Sequence, residues 1–145
     1  MVQLIVLLGF MPSFFGFSVQ PSIMEACNKF GSPVEIYAVE NSRHNGFIFK
    51  KKDYIIDCVA YPNGYIYQMS ATGLVSDVAY KNVTLGSTIK TVYSAMGKPG
   101  KILVQNENET HFVFKDCVVV FTKIGKRKEY RATELRVFLP ARLPR

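Results

Sequence analysis

Histidine and cysteine are scarce in this chain, and their scarcity excludes the commonest metal and nucleophile chemistries. The 145 residues include two histidines, His44 and His111, and three cysteines, Cys27, Cys58 and Cys117. No CxxC pair and no histidine-linked cysteine spacing occurs, so no zinc or other metal site is expected. Cys58 and Cys117 lie in strongly apolar runs. Burial there raises a thiol's pKa and makes it inert, which argues against a nucleophile pair built from Cys117 and His111. Gly46, Gly73 and Gly86 stand alone, so there is no glycine-rich loop of the phosphate-cradling type. Asp53 and Asp57 flank "YII" and would share a face on a strand, as a carboxylate pair must. The neighbouring "KKK" at 50–52 reads them instead as a salt-bridged edge. The expectation is a protein that is not an enzyme and carries no cofactor.

Charge is missing from the first eighteen residues, "MVQLIVLLGFMPSFFGFS". Two readings stand. As a secretory signal, "VQLIVLLGF" is the apolar core and "GFS" supplies the small residues before a cleavage that leaves Val19 first. As structure, the same run is a buried strand. It is too short and interrupted for a spanning helix. The first reading places the protein in a secreted or periplasmic setting, the second leaves a cytoplasmic one. Export would permit one disulfide among the three cysteines; otherwise all three are reduced.

What is present is a large apolar fraction, 48%, rich in phenylalanine and tyrosine, enough for a core without metal or disulfide staples. The net charge of +7 sits at one end. Residues 121–145 hold eight basic groups against Glu129 and Glu134, a surplus of six.

The chain also says one thing twice. "FSVQPSIMEACNKFGSPVEI" (17–36) and "VTLGSTIKTVYSAMGKPGKI" (83–102) align without a gap. Ile23, Ala26, Cys27 and Phe30 recur at i, i+3, i+4 and i+7, and Ile89, Val92, Tyr93 and Met96 repeat the spacing, the stripe of an amphipathic helix. Ser22, and Ser87 or Thr88, suit the starts, and Gly31–Pro33 and Gly97–Pro99 the stops. Four strand-like runs follow each helix, the last pair joined at "PNG" (62–64) and "GKRK" (125–128). The expected fold is α+β: two tandem helix-plus-four-stranded-antiparallel-sheet repeats, with a continuous curved sheet and helices on one face as one way to join them. The domain reading is a signal or first strand at 1–18, repeat 1 at 19–72, a linker at 73–82, repeat 2 at 83–140 and a basic tail at 141–145.

The 83–102 phrase resembles the "LG-small … hydrophobic-G-x-P" signature of the β-lactamase-inhibitor-protein-like superfamily, which includes secreted β-lactamase inhibitor proteins and SmpA/OmlA envelope lipoproteins. The resemblance covers about residues 17–138. It implies a helical element followed by a four-stranded antiparallel sheet, used in tandem to bind another protein without catalysis. The first copy has "VQPS" where the second has "LGST", and Glu25 spoils a lipid-anchor motif in "MEAC". No binding residue of that family is carried over.

The functional expectation is a non-catalytic protein-binding module, inhibitor-like or envelope-associated, for an acidic protein partner. A nucleic-acid-associated protein using the basic end is the alternative. Candidate contacts are Arg43 and His44 in a loop, Tyr65 and Tyr67 in a strand, and Lys126, Arg127 and Lys128 in the basic turn. Tyrosine and arginine combine contact area with hydrogen bonding, which suits interfaces. Stacking aromatics are sparse around the basic turn, which weakens the nucleic-acid alternative.

Overall fold

Ser22 and Thr88 start the two helices. The structure, a computed structural model, describes residues 13–139. The apolar run at 2–9 and the basic tail at 141–145 lie outside them. Helix α1 spans Ile23–Phe30 and α2 spans Ile89–Met96. Ser22 accepts from the Glu25 backbone while the Glu25 side chain returns to Ser22, a complete capping box. Thr88 accepts from the Thr91 backbone. Both helices stop at a left-handed glycine, Gly31 at φ 93° and Gly97 at φ 81°, a conformation that side-chain-bearing residues resist. Each is only eight residues long, too short to persist without packing. Ala26 and Val92 supply that packing, each fully buried in the stripe.

The strands are β1 (Glu35–Ala38), β2 (Asn45–Lys50), β3 (Tyr54–Ala60), β4 (Ile66–Gly73), β5 (Lys101–Asn106), β6 (Glu109–Val113), β7 (Cys117–Ile124) and β8 (Glu129–Phe138). They form one antiparallel sheet in the order β1-β2-β3-β4-β8-β7-β6-β5. This corrects the expected fold class. The chain does not build two repeats, each a helix with its own four-stranded sheet; it is mostly a single eight-stranded sheet with two short helices. The reason lies at the junction. Separate sheets would leave β4 and β8 as open edges, rows of unpaired backbone groups that invite association. Instead the two strands pair from Gln68 with Phe138 to Thr72 with Glu134, leaving β1 and β5 as the edges.

Alternation along the strands divides the sheet into two faces. The inward face carries Ile56, Cys58, Met69, Ala71, Val119, Phe121, Leu135 and Val137, buried in one cluster with Ala26 and Val92. Both helices therefore cover the same face. All three cysteines are free, and Cys117 Sγ lies 3.7 Å from Met96 Sδ beneath α2.

Two segments assigned to ends and linkers belong to this core. Phe14 is 0% and Phe15 1% exposed, so cleavage after Ser18 would remove two of the largest core side chains. In the expected linker, Val78 and Tyr80 are buried. Phe14, Phe15, Val78 and Tyr80 all belong to the one buried cluster.

Candidate functional site

The face away from the helices is open. One cross-strand row traverses all eight strands: Glu35, Ile48, Asp57, Ser70, Arg136, Val118, Val113 and Lys101. Asp57 belongs to this face because its neighbours Ile56 and Cys58 point into the core.

At one end of the row, Tyr37 donates its hydroxyl to both Asp57 oxygens, at 2.8 and 2.9 Å. The ring passes over Gly46, where an added Cβ would lie 1.9–2.4 Å from it. An isolated glycine inside a strand often marks such a close approach, the one signal in the sequence that pointed here. Burial raises the Asp57 pKa above the ordinary carboxylate value; the Tyr37 hydrogen bond opposes that, and Glu134 and Glu35 add to it. Burial, then the Asp57 bond and charge, hold the Tyr37 phenol well above its usual range. In the middle of the face Arg136 Nε bonds Glu134 at 2.9 Å, and next to the β5 edge His111 meets Glu109 at 2.9 Å.

Near β1 and β4 lies an aromatic cluster. His44 Nδ1 shares a 2.7 Å hydrogen bond with the Tyr67 hydroxyl. Tyr61 and Tyr67 ring centroids are 4.5 Å apart, and His44 stands edge-on to both, at 5.4 and 5.1 Å. Burial, with a smaller contribution from Tyr61, raises the Tyr67 pKa. Phe138, 40% exposed, pairs with Gln68 beside this cluster.

The candidate contacts are therefore split. His44 and Tyr67 come together, with exposed Arg43 next in chain. Tyr65 falls instead at the start of α1, where its backbone bridges Ser22. Lys126, Arg127 and Lys128 are exposed in the β7–β8 turn, at the far end of the ten-residue β8, about 30 Å from Phe138 at strand spacing. The turn and the aromatic cluster make two surfaces, not one. Tyr61 and Phe138 were missed, because each ends a strand-like run and looks like ordinary core.

The weighed catalytic pairs do not assemble. Cys117 pairs with Val137 on the inward face, whereas His111 pairs with Val120 on the open one. Burial drives the Cys117 thiol up to about 12. Asp53 lies in the turn before β3, off the strand that carries Asp57. Among the described residues, no three His, Cys, Asp or Glu side chains converge as metal ligands, and no helix is long and apolar enough to cross a membrane.

No protein-family model and no curated protein matches the sequence. Solved structures do match the fold. One is a cysteine-rich secretory protein, SAV1118, from Staphylococcus aureus: TM-score 0.61, 15% identity, over 90% of this chain and 48% of that one. A second is an extracellular protein containing an SCP domain from Bacillus anthracis, with TM-score 0.55 and 8% identity over 83% of this chain and 44% of that one. A third is the DUF4309 family protein YjgB from Bacillus subtilis, with TM-score 0.54 and 15% identity over 91% and 88%. None of the three is described as a β-lactamase inhibitor or SmpA/OmlA protein, so that resemblance rests on its motif. At these identities the likeness is one of fold alone, and the chain spans about half the length of the first two proteins.

Proposed function

We propose that this chain is a non-catalytic module of an exported or envelope-associated protein that docks an acidic protein partner against the open face of its sheet. The observation that carries this reading is the His44–Tyr61–Tyr67 cluster with Phe138 beside it. Aromatic side chains held by one another lose little freedom on binding and offer large contact area, which is how interface anchors work. The Tyr37–Asp57 contact ties β1 to β3 behind them. The net charge of +7 favours an acidic partner. Two of the three similar structures come from proteins described as secretory or extracellular, and each is about twice this chain's length, which supports the module reading. The separation of Cys117 from His111 across the sheet removes the nucleophile pair that the sequence offered.

The test is a photoreactive phenylalanine analogue at position 138, with the same analogue at exposed Met24 on α1 as the control. In native cells, position 138 should trap one discrete protein, and Tyr67→Ser should abolish the adduct while the fold is retained. Identical adducts from both positions, or none from position 138, would sink the reading.

A further inference from the structure

An open cavity of about 630 Å³ lies beside the C-terminal end of α1, on the helix-covered side of the sheet. A second, of about 390 Å³, shares Lys51, Tyr54 and Asp77 with it, so the two are chambers of one cleft. Two tight turns frame the larger chamber. Phe14 and Phe17 exchange backbone hydrogen bonds at 2.9 and 2.8 Å, and Tyr80 and Val83 do so at 3.0 and 2.9 Å. The turns are joined, since Phe14 bridges Tyr80 and the Phe15 N–H bonds the Ala79 carbonyl at 2.9 Å. Both central residues of each turn have positive φ: Phe15 (49°) and Gly16 (86°), then Lys81 (51°) and Asn82 (65°).

Left-handed backbone costs a residue with a side chain about 1–2 kcal/mol, and such strain persists where the surroundings impose it, often around ligand sites. Five non-glycine residues among those described have positive φ, and three of them, Phe15, Lys81 and Asn82, line this cavity. Phe15 and Lys81 carry that strain, since asparagine tolerates this backbone better.

The lining is also cationic. Lys29, Lys51 and Lys81 reach it from three separate elements. Lys29 crosses Gly16 so closely that a Cβ there would lie 2.4 Å from its Nζ, and it rests 5.4 Å from the Phe17 ring centroid. Lys51 Nζ is 3.5 Å from the Phe30 carbonyl, at the negative end of α1. Lys81 pairs with Asp116 at 2.7 Å. The larger chamber contains one carboxylate, Asp77, which accepts a hydrogen bond from Tyr54. With Lys81 already paired to Asp116, Lys29 and Lys51 against Asp77 leave a surplus of one positive charge, and the lining includes the aromatic residues Phe30 and Tyr54.

We propose that this cleft binds a phosphate monoester with an apolar or ring-shaped organic part. The anionic phosphate meets a cationic lining, and lysines suit phosphate as mobile point charges. The aromatic walls take the organic part, and the volume falls in the range of small-molecule sites, about 300–1,000 Å³.

The probe is phenyl phosphate, titrated into the full chain by calorimetry, with inorganic phosphate as comparator. Phenyl phosphate should bind about tenfold tighter than inorganic phosphate, a difference of ~1.4 kcal/mol assignable to the aromatic walls. Lys29→Gln with Lys51→Gln, neither of which breaks an ion pair to a carboxylate, should weaken it at least about tenfold. Asp77→Asn should tighten it. Lys126→Gln, on the distant turn, should change nothing. Vesicles of phosphatidylcholine with phosphatidic acid separate the two sources of a monoester. Lysine-dependent cosedimentation assigns a lipid headgroup, and phenyl phosphate binding without it assigns a soluble ester. Binding in neither arm, or binding indifferent to Lys29 and Lys51, overturns the proposal.

Discussion

Tyr37 lies across Gly46 and donates its hydroxyl to both oxygens of Asp57, at 2.8 and 2.9 Å. Three strands are thereby tied by one side chain, and the contact exists only because residue 46 has no Cβ. Gly46→Ala should cost about 1–3 kcal/mol, as overpacking does, and lower the melting temperature by several degrees. In a Tyr37→Ala background the same substitution should cost almost nothing. Equal costs in both backgrounds would show that the ring does not depend on the glycine.

Two aspartates should give stability opposite pH dependences. Burial, with Glu134 and Glu35 adding, raises the Asp57 pKa against the pull of Tyr37. The fold then binds that proton more tightly than the unfolded chain. Its contribution is complete below the ordinary value of 3.8 and is lost as pH rises through the folded value. Asp57→Asn should gain on the wild type as pH rises from 4 toward 7. At Asp116, burial pushes upward but the hydrogen bonds from Lys81 and Tyr80 prevail, and the pKa falls. That contribution is present above 3.8 and is lost as pH drops through the folded value. Asp116→Asn should therefore cost about 1 kcal/mol or less at pH 7, the pair being partly screened, and nothing in strong acid. Denaturant midpoints from pH 3 to 8 check both, and curves parallel to wild type would refute the assignment.

The N-terminal turn is part of the folding unit. Phe14→Ala should cost about 3–5 kcal/mol, the usual loss for a large ring removed from a packed core. A chain beginning at Val19 loses Phe14, Phe15 and Phe17 together and should show no cooperative unfolding. Intact-mass measurement of protein from native cells should place its first residue no later than Ser13. A folded native form that begins at Val19 would contradict this.

The basic turn should contribute to encounter rather than to folding. Lys126, Arg127 and Lys128 are exposed, and Lys128 holds a left-handed φ of 50°. Replacing them with Ser, Ser and Asn should leave the melting temperature unchanged or raise it slightly, because asparagine tolerates that backbone better. Association with a partner trapped at Phe138 should slow, most visibly at low salt, where long-range charge acts. Unchanged rates at low salt would make the turn a solvated loop.

Local physics wrote the helices into the sequence. The stripe Ile23–Ala26–Cys27–Phe30, the Ser22–Glu25 box and the Gly31 stop all act within a few residues, so α1 was legible there, as was α2 from Thr88 to Gly97. The strands were legible for the same reason, through period-two alternation. Which strands meet was not. The pairing of β4 with β8 joins residues far apart in the chain, and only the advantage of closing two edges selects it. Of the candidate contacts, the sequence named His44 and Tyr67 by residue type. The register of β2, β3 and β4 decided that they share a hydrogen bond and that Tyr61 joins them. The lysines of the cleft were invisible in sequence: Lys29 ends a helix, Lys51 follows a strand and Lys81 sits in a turn. They became neighbours only when the Phe14–Phe17 turn packed against the Tyr80–Val83 turn, a long-range contact that no local propensity encodes.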